Sequence, residues 1–301
     1  MRLVGFLGGV SFLAACAVPL PAETTPQQPA GSVWNVSADE QLAWPDLVDS
    51  LADADVVIIG ELHDNAAHHQ TQAWLVGQIK PAGIAFEMIP EASEEGIAVF
   101  LENGGAPGEI GPAIGWERIG WPDWDMYRPI FEAWEPQIYT GGAPGRATAR
   151  KAIRQGAAKV MGDDRFVPVL QTALDAETQS AMEDEMVASH CGHLPKSAAP
   201  GMVEAQRLRD ASFAAAVLRA RAAGGGQTVL ITGNGHARTD RGVPEYLAEV
   251  APDLKIVSVG LLESDIDPTR LDGDFAGQPF DYVWFTRPAE REDPCAIFKK
   301  K

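Results

Sequence analysis

Four side chains suited to proton transfer or metal ligation follow short apolar runs in this sequence. Glu61 and His63 come directly after Val56 to Ile59, inside the stretch Gly60, Glu61, Leu62, His63, Asp64, Asn65. Glu87 stands near the end of Ile84 to Met88, and His236 follows Thr228 to Thr232 across Gly233, Asn234 and Gly235. A carboxylate beside an imidazole serves general acid–base chemistry, and two of each can hold a divalent ion and activate water. A single histidine after a strand is more often a loop residue with its hydrogen bonds satisfied locally, so the set of four carries more than any member. His68 and His69 lie on the helical pattern that follows. Neighbouring helical positions point roughly 100° apart, so at most one of the two shares a pocket with His63. The glycines flanking His236 suit a tight turn that brings backbone close to a ligand, with an ordinary strand-to-helix loop as the alternative.

These residues act together only if the fold delivers them to one place. Val56 to Ile59 is a continuous β-branched run, the pattern of a strand buried on both faces of a parallel sheet. A helical pattern from about Ala66 to Ile79 is closed by Pro81, and Ile84 to Met88 gives a second strand. Another helix, from Glu91 to Leu101, stops at Asn103, Gly104 and Gly105. Met202 to Ala223 reads as a long Ala- and Arg-rich helix ending at Gly224, and Thr228 to Thr232, Lys255 to Gly260 and Tyr282 to Thr286 read as strands. The alternation predicts an α/β fold with a mostly parallel β-sheet flanked by helices. Ligands of such sheets gather outside the carboxyl ends of the strands, where Glu61, His63, Glu87 and His236 all fall.

A tryptophan-rich insertion, with Trp116, Trp121, Trp124, Tyr127 and Trp134, separates the second strand from the later ones. Pro129 suits the first turn of a helix running through Ile130, Phe131 and Trp134. The segment is either a hydrophobic cap over the sheet or a wall for a flat aromatic ligand, with Tyr127 as an oxygen donor suited to ferric iron. On the long helix, Gln206 and Asp210 share one side and Arg207 lies three residues before Asp210. The group is either a surface ion pair or a set that holds and orients the histidines.

The ends of the chain concern its location. Arg2 and the apolar run Leu3 to Ala15 have the form of an export leader, too short for a bilayer span of roughly 20 residues. Leu13, Ala14, Ala15, Cys16 resembles a lipobox, which implies removal of residues 1–15 and lipid on Cys16; the alternative is an ordinary signal peptide with a chance cysteine. Ala17 in place of aspartate favours sorting to the outer membrane, facing the periplasm. Residues 16–33, with Pro19, Pro21, Pro26 and Pro29, predict an extended tether, and residues 34–301 a single folded domain. Cys191 and Cys295 are then the two remaining cysteines in an oxidising compartment, and a disulfide joins them economically. The rival is a metal cluster of His190, Cys191 and His193, which lacks a second motif at zinc spacing. A net formal charge of −18 argues against a nucleic-acid partner and against attraction to anionic headgroups.

Taken in order, GELHDN at 60–65, HHQ at 68–70, FEM at 86–88, YRPIF at 127–131, HCG at 190–192, MVEAQRLRDASFA at 202–214, GNGHARTDRGVP at 233–244, YVWFT at 282–286 and the DPC ending at Cys295 resemble the ChaN family of haem-binding lipoproteins, within the haem-uptake and Tiki/TraB superfamily. The resemblance runs from about Leu42 to Cys295. It implies haem as ligand, two subunits paired around it, an outer-membrane haem receptor as a further partner, and tyrosine and histidine as iron ligand and propionate contact. His63 and His236 match the motif histidines and Tyr127 the motif tyrosine, with Tyr139 and Tyr282 as other candidates for the iron. Glu61, Glu87, Asn65, His68, His69, Gln206, Arg207, Asp210, Asn234 and Arg238 complete the expected site. The chain departs from the family pattern at Ile138 to Arg146, where a strand and an Asn-containing turn are expected.

Two functions follow from these residues. The first is lipid-anchored haem binding in haem or iron acquisition, with Arg207, Arg238 and Arg241 as propionate partners. The second is a metal-dependent hydrolase using Glu61, His63, Glu87 and His236, since the wider superfamily holds proteases and esterase-like members.

Overall fold

The apolar runs become strands of one eight-stranded sheet. In chain order these are β1 (Ser32–Asn35), β2 (Glu40–Leu42), β3 (Val56–Ile59), β4 (Gly83–Pro90), β5 (Ile138–Ala143), β6 (Thr228–Ile231), β7 (Ile256–Glu263) and β8 (Tyr282–Thr286). Their spatial order is β2-β1-β8-β7-β3-β6-β4-β5. Neighbours from β8 through β5 run parallel, and β1 and β2 add an antiparallel edge. The mostly parallel sheet flanked by helices is thus the observed architecture. The structure is a computed structural model and describes residues 29–266 and 275–298. The expected leader, Cys16 and the tether as far as residue 28 lie outside the described residues.

Alternation along β3 divides the core. Val57 and Ile59 join the apolar cluster under helices Trp44–Ala52, Ala66–Ile79 and Trp124–Ala133. Val56 and Ile58 join the opposite cluster, under Ala199–Gly224 and Val243–Val250. Because β6 is inserted between β3 and β4, the loops leaving these three parallel strands are neighbours at one edge.

Three elements differ from expectation. The sheet begins at Ser32, inside the predicted tether, because β1 pairs with β8 through Val33 and Trp284. The segment 138–143 forms β5 despite two glycines. A Cβ on Gly141 would fall 2.6 Å from the Ile89 carbonyl oxygen, and one on Gly142 would fall 2.6 Å from the Phe213 ring. Close packing, not strand propensity, dictates those residues. Helix Trp124–Ala133 starts five residues before Pro129, because Asp123 caps it by accepting from the Asp125 N–H at 3.1 Å.

Cys191 and Cys295 form a disulfide, tying the turn Pro294–Phe298 to the chain beyond helix Ala176–Ser189. The rival cluster of His190, Cys191 and His193 fails, since the Cys191 sulfur is consumed in that bond. Among the described residues no helix is long and apolar enough to cross a membrane.

Candidate functional site

Glu61 leaves the end of β3 as a buried carboxylate on which three side chains converge. Its Oε1 accepts from His63 Nδ1 at 2.7 Å and from the Tyr127 hydroxyl at 3.2 Å, and its Oε2 lies 2.7 Å from His69 Nδ1. Burial opposes the carboxylate's charge, but the hydrogen bond from His63 and the adjacent His69 ring outweigh it and hold Glu61 below its ordinary value. His69 Nε2 donates to the His63 carbonyl at 3.0 Å. His63 is therefore fixed through its own backbone and through Nδ1, while its Nε2 makes no hydrogen bond among the described residues. That pattern, a carboxylate behind one ring nitrogen and the other left open, suits an imidazole that ligates.

The loop after β6 builds the second half. His236 Nδ1 donates to Asp210 Oδ1 at 2.6 Å, and its Nε2 lies 3.5 Å from Glu87 Oε1. The Gln206 amide nitrogen sits 3.1 Å from the same Nε2. Glu87, near the end of β4, accepts at Oε2 from the Thr232 hydroxyl and the Gly233 N–H, each at 2.8 Å. Burial alone would favour the neutral ring, but Glu87 and Asp210 raise the His236 pKa to about 10. Burial likewise opposes the Glu87 charge, yet His236 and His63 hold it far below the usual carboxylate range. Gly233 is required here for space: a Cβ would stand 2.9 Å from His63 Nε2.

His63, Glu87 and His236 line one cavity of about 630 Å³, open to solvent, within the range of small-molecule sites. Trp121 packs on His63 with ring centroids 4.8 Å apart, and Phe213 on His236 at 4.7 Å. Ile119, Pro90 and Pro144 add apolar wall, and Arg118, Arg146 and Arg209 stand around it.

Several expected residues serve the scaffold and do not line this cavity. His68 accepts the Leu62 N–H at 2.9 Å and meets the Thr286 hydroxyl at 2.9 Å, and burial lowers its pKa to about 4. Asn65 caps helix Ala66–Ile79, and its amide donates to Glu263 at 2.6 Å. Asn234 clamps the β6 loop to Leu261 of β7 at 2.6 Å. Asp210 accepts from His236, and Gln206 stands beside the same ring. Arg207, one residue round the helix, turns away to the carbonyls of Val169 and Thr172 and to Glu204. Arg238 pairs with Asp240, and Arg241 with Glu185, outside the cavity.

The structure places Tyr127 behind Glu61, away from the cavity lining. Its side chain is fully buried, its hydroxyl is spent on Glu61, and burial beside that carboxylate raises its pKa far above the ordinary tyrosine value. His63 lines the cavity, and Glu61 and Tyr127 lie behind it. Tyr139 and Tyr282 do not line the cavity either. Of the tryptophans, Trp116 and Trp124 belong to the core cap, with indole N–H groups donating to the carbonyls of Pro122 and Gly108. Only Trp121 reaches the cavity. The three cavity arginines were missed by sequence reading. Arg146 follows the carboxyl end of β5, so the strand-end rule finds it once the glycine-bearing segment is recognised as a strand.

A family model described as haem-binding uptake, Tiki superfamily, ChaN matches residues 47–247. The chain belongs to the ChaN family. Its structure is similar to that of Campylobacter jejuni ChaN, whose structure is described as cofacial heme binding, with 18% sequence identity and a TM-score of 0.66 over 84% of this chain and 96% of that one. This likeness shows a shared fold. A succinoglycan biosynthesis protein is 13% identical with a TM-score of 0.45, over 80% of this chain and 90% of its own. That likeness is too loose to bear on function. No curated protein sequence matches the chain.

The donor set of this ChaN member fits haem better than a divalent ion. Among the described residues no group of three or more His, Cys, Asp or Glu side chains is placed to hold a metal ion. Glu87 and His236 already spend their polar atoms on Thr232, Gly233 and Asp210, and Glu61 is buried behind His63. What the cavity offers is one open imidazole nitrogen, two aromatic faces and a cationic rim.

Proposed function

We propose that this protein binds haem in the cavity at the carboxyl edge of the sheet, as part of haem or iron acquisition in the bacterial envelope. The observation that carries the reading is His63. Its Nδ1 is committed to buried Glu61 and its Nε2 is left open beside Trp121, within a cavity large enough for a flat aromatic ligand. Bound haem would supply an iron that the His63 Nε2 could ligate; the protein's part is to present that nitrogen in one orientation and to cover the ring with Trp121 and Phe213. Membership of the family described as haem-binding uptake and the fold shared with Campylobacter jejuni ChaN support the same ligand.

The location is part of the proposal. The lipobox-like Leu13 to Cys16 supports lipid attachment, with the Pro-rich residues that follow as spacer and the outer membrane as destination. An oxidising compartment accords with the Cys191–Cys295 bond. Pairing of two copies around haem, and exchange with an outer-membrane receptor, also belong to the proposal. The cavity opens to solvent, so a second molecule can reach a ligand held there. The deciding experiment is an absorbance titration of the purified protein with ferric haem. A saturable Soret shift lost in His63→Ala is expected. A flat titration with folded protein overturns the reading.

A further inference from the structure

Among the described residues, three arginines around the cavity stand without a carboxylate partner, as do Arg150 and Arg154 on the helix that Arg146 opens. With 42 acidic residues against 24 basic ones, carboxylate partners are abundant. Arg165, Arg207 and Arg241, which line the neighbouring cavity, contact Asp163, Glu204 and Glu185. Arg219 reaches Glu94 and Arg221 reaches Asp55. Arg118, Arg146 and Arg209, in contrast, have no carboxylate within ion-pair distance among the described residues. Arg146 donates to the Ile119 carbonyl at 2.9 Å and Arg209 to the Gln206 amide oxygen at 3.3 Å, and all three arginines are exposed, so a ligand can reach their remaining N–H groups. The carboxylate on the cavity wall, Glu87, is already held by His236, Thr232 and Gly233.

The local backbone adds to the same field. Arg146 opens helix Arg146–Gln155, whose cap residue Gly145 contributes no side-chain hydrogen bond and itself lines the cavity. A cation in the first turn stands against the helix dipole, and the first N–H groups of a helix seek an anion. The helix also carries Arg150, Lys151 and Arg154 with no acidic residue. Gly115, with φ +73°, leaves the space in which the Arg118 guanidinium lies, since a Cβ there would fall 2.2 Å from its Nη2.

Resting on the haem reading above, we propose that Arg118, Arg146 and Arg209 recognise the ligand by its carboxylates, independently of any central metal. The cavity then accepts flat tetrapyrrole dianions as a class, iron-free protoporphyrin included. Guanidinium forks match carboxylates in geometry, and such charge-assisted bonds are stronger than neutral ones. His63 adds affinity only when the ring carries a metal.

Three probes separate these contributions: ferric haem, protoporphyrin IX and protoporphyrin IX dimethyl ester, followed by absorbance and by quenching of tryptophan fluorescence. Haem and protoporphyrin IX are expected to bind, and the dimethyl ester to bind at least about tenfold more weakly than protoporphyrin IX. Combined Arg118→Gln, Arg146→Gln and Arg209→Gln substitution weakens haem and protoporphyrin IX alike, whereas His63→Ala weakens haem alone. Arg238→Gln, outside the cavity, serves as the control of unchanged binding. Haem binding without protoporphyrin IX binding overturns the inference and leaves the haem reading standing, as does equal binding of the dimethyl ester. Failure of all three probes overturns the haem reading itself.

Discussion

His63 Nδ1 and Glu61 Oε1 lie 2.7 Å apart, and the same oxygen accepts the Tyr127 hydroxyl at 3.2 Å. The tyrosine thus acts on the ligand side only through the carboxylate and the imidazole. Tyr127→Phe removes one hydrogen bond to a buried charge, at a cost of about 1.5–3 kcal/mol in stability. Haem absorbance is expected to persist in Tyr127→Phe and to collapse in His63→Ala. Loss of the Soret shift in Tyr127→Phe, with the fold intact by circular dichroism, contradicts this order of residues.

The contrast between these two residues shows what the sequence discloses. A histidine placed just past a β-branched run is assigned to the carboxyl edge by topology alone, and His63 and His236 do share one cavity there. Tyr127 lies on a helix, and its direction depends on which of the positions 124, 127, 130 and 131 face the sheet. All four are buried together, so the tyrosine belongs to the apolar stripe and not to the pocket. The arginines were hidden for a different reason. Arg118 lies in a turn of the insertion, Arg209 on a long helix with no apolar periodicity to orient it, and Arg146 behind a strand disguised by Gly141 and Gly142.

Gly233 permits His63 to stand where it does. Gly233→Ala places a methyl group 2.9 Å from His63 Nε2, so the ring must move or the loop must shift. The residue adopts extended backbone at φ −68°, which alanine tolerates, so the fold survives. Haem affinity is expected to fall by about tenfold or more, corresponding to 1.4 kcal/mol per decade. Unchanged affinity in this variant argues that Nε2 is not the atom the ligand meets.

The His236 pair predicts a pH profile of stability. Its folded pKa, about 10, lies above the ordinary value of 6.5, so its contribution is complete below 6.5 and is lost as pH rises through 10. Glu87 shifts the other way, so its contribution holds above its ordinary value of 4.5 and fades at more acidic pH. Thermal midpoints of the wild type are expected to fall between neutral pH and pH about 10, with His236→Gln showing a shallower decline. Asp210→Asn, which leaves the imidazolium with Glu87 alone, costs about 1.5–3 kcal/mol at neutral pH, the range of one hydrogen bond to a charged group. Parallel profiles for wild type and His236→Gln show that the ring is neutral in the folded protein.

The disulfide closes a long segment, its cysteines standing 104 positions apart in sequence. A cross-link of that span removes loop-closure entropy from the unfolded chain worth about 4–5 kcal/mol in the chain-entropy model. The folded state gains a second restraint nearby: Arg291, four residues before Cys295, contacts both Asp64, beside His63, and Glu263 at the end of β7. Reduction frees the chain end, but these ion pairs and the β8 ladder do not depend on the sulfur bond. Cys191→Ser with Cys295→Ser is therefore expected to fold, to melt on the order of 10 °C lower, and to bind haem with near wild-type affinity at low temperature. Differential scanning calorimetry and a haem titration at one temperature check both halves. A haem affinity that falls in step with the melting temperature shows instead that the cross-link shapes the cavity directly, through the Arg291 contact with Asp64.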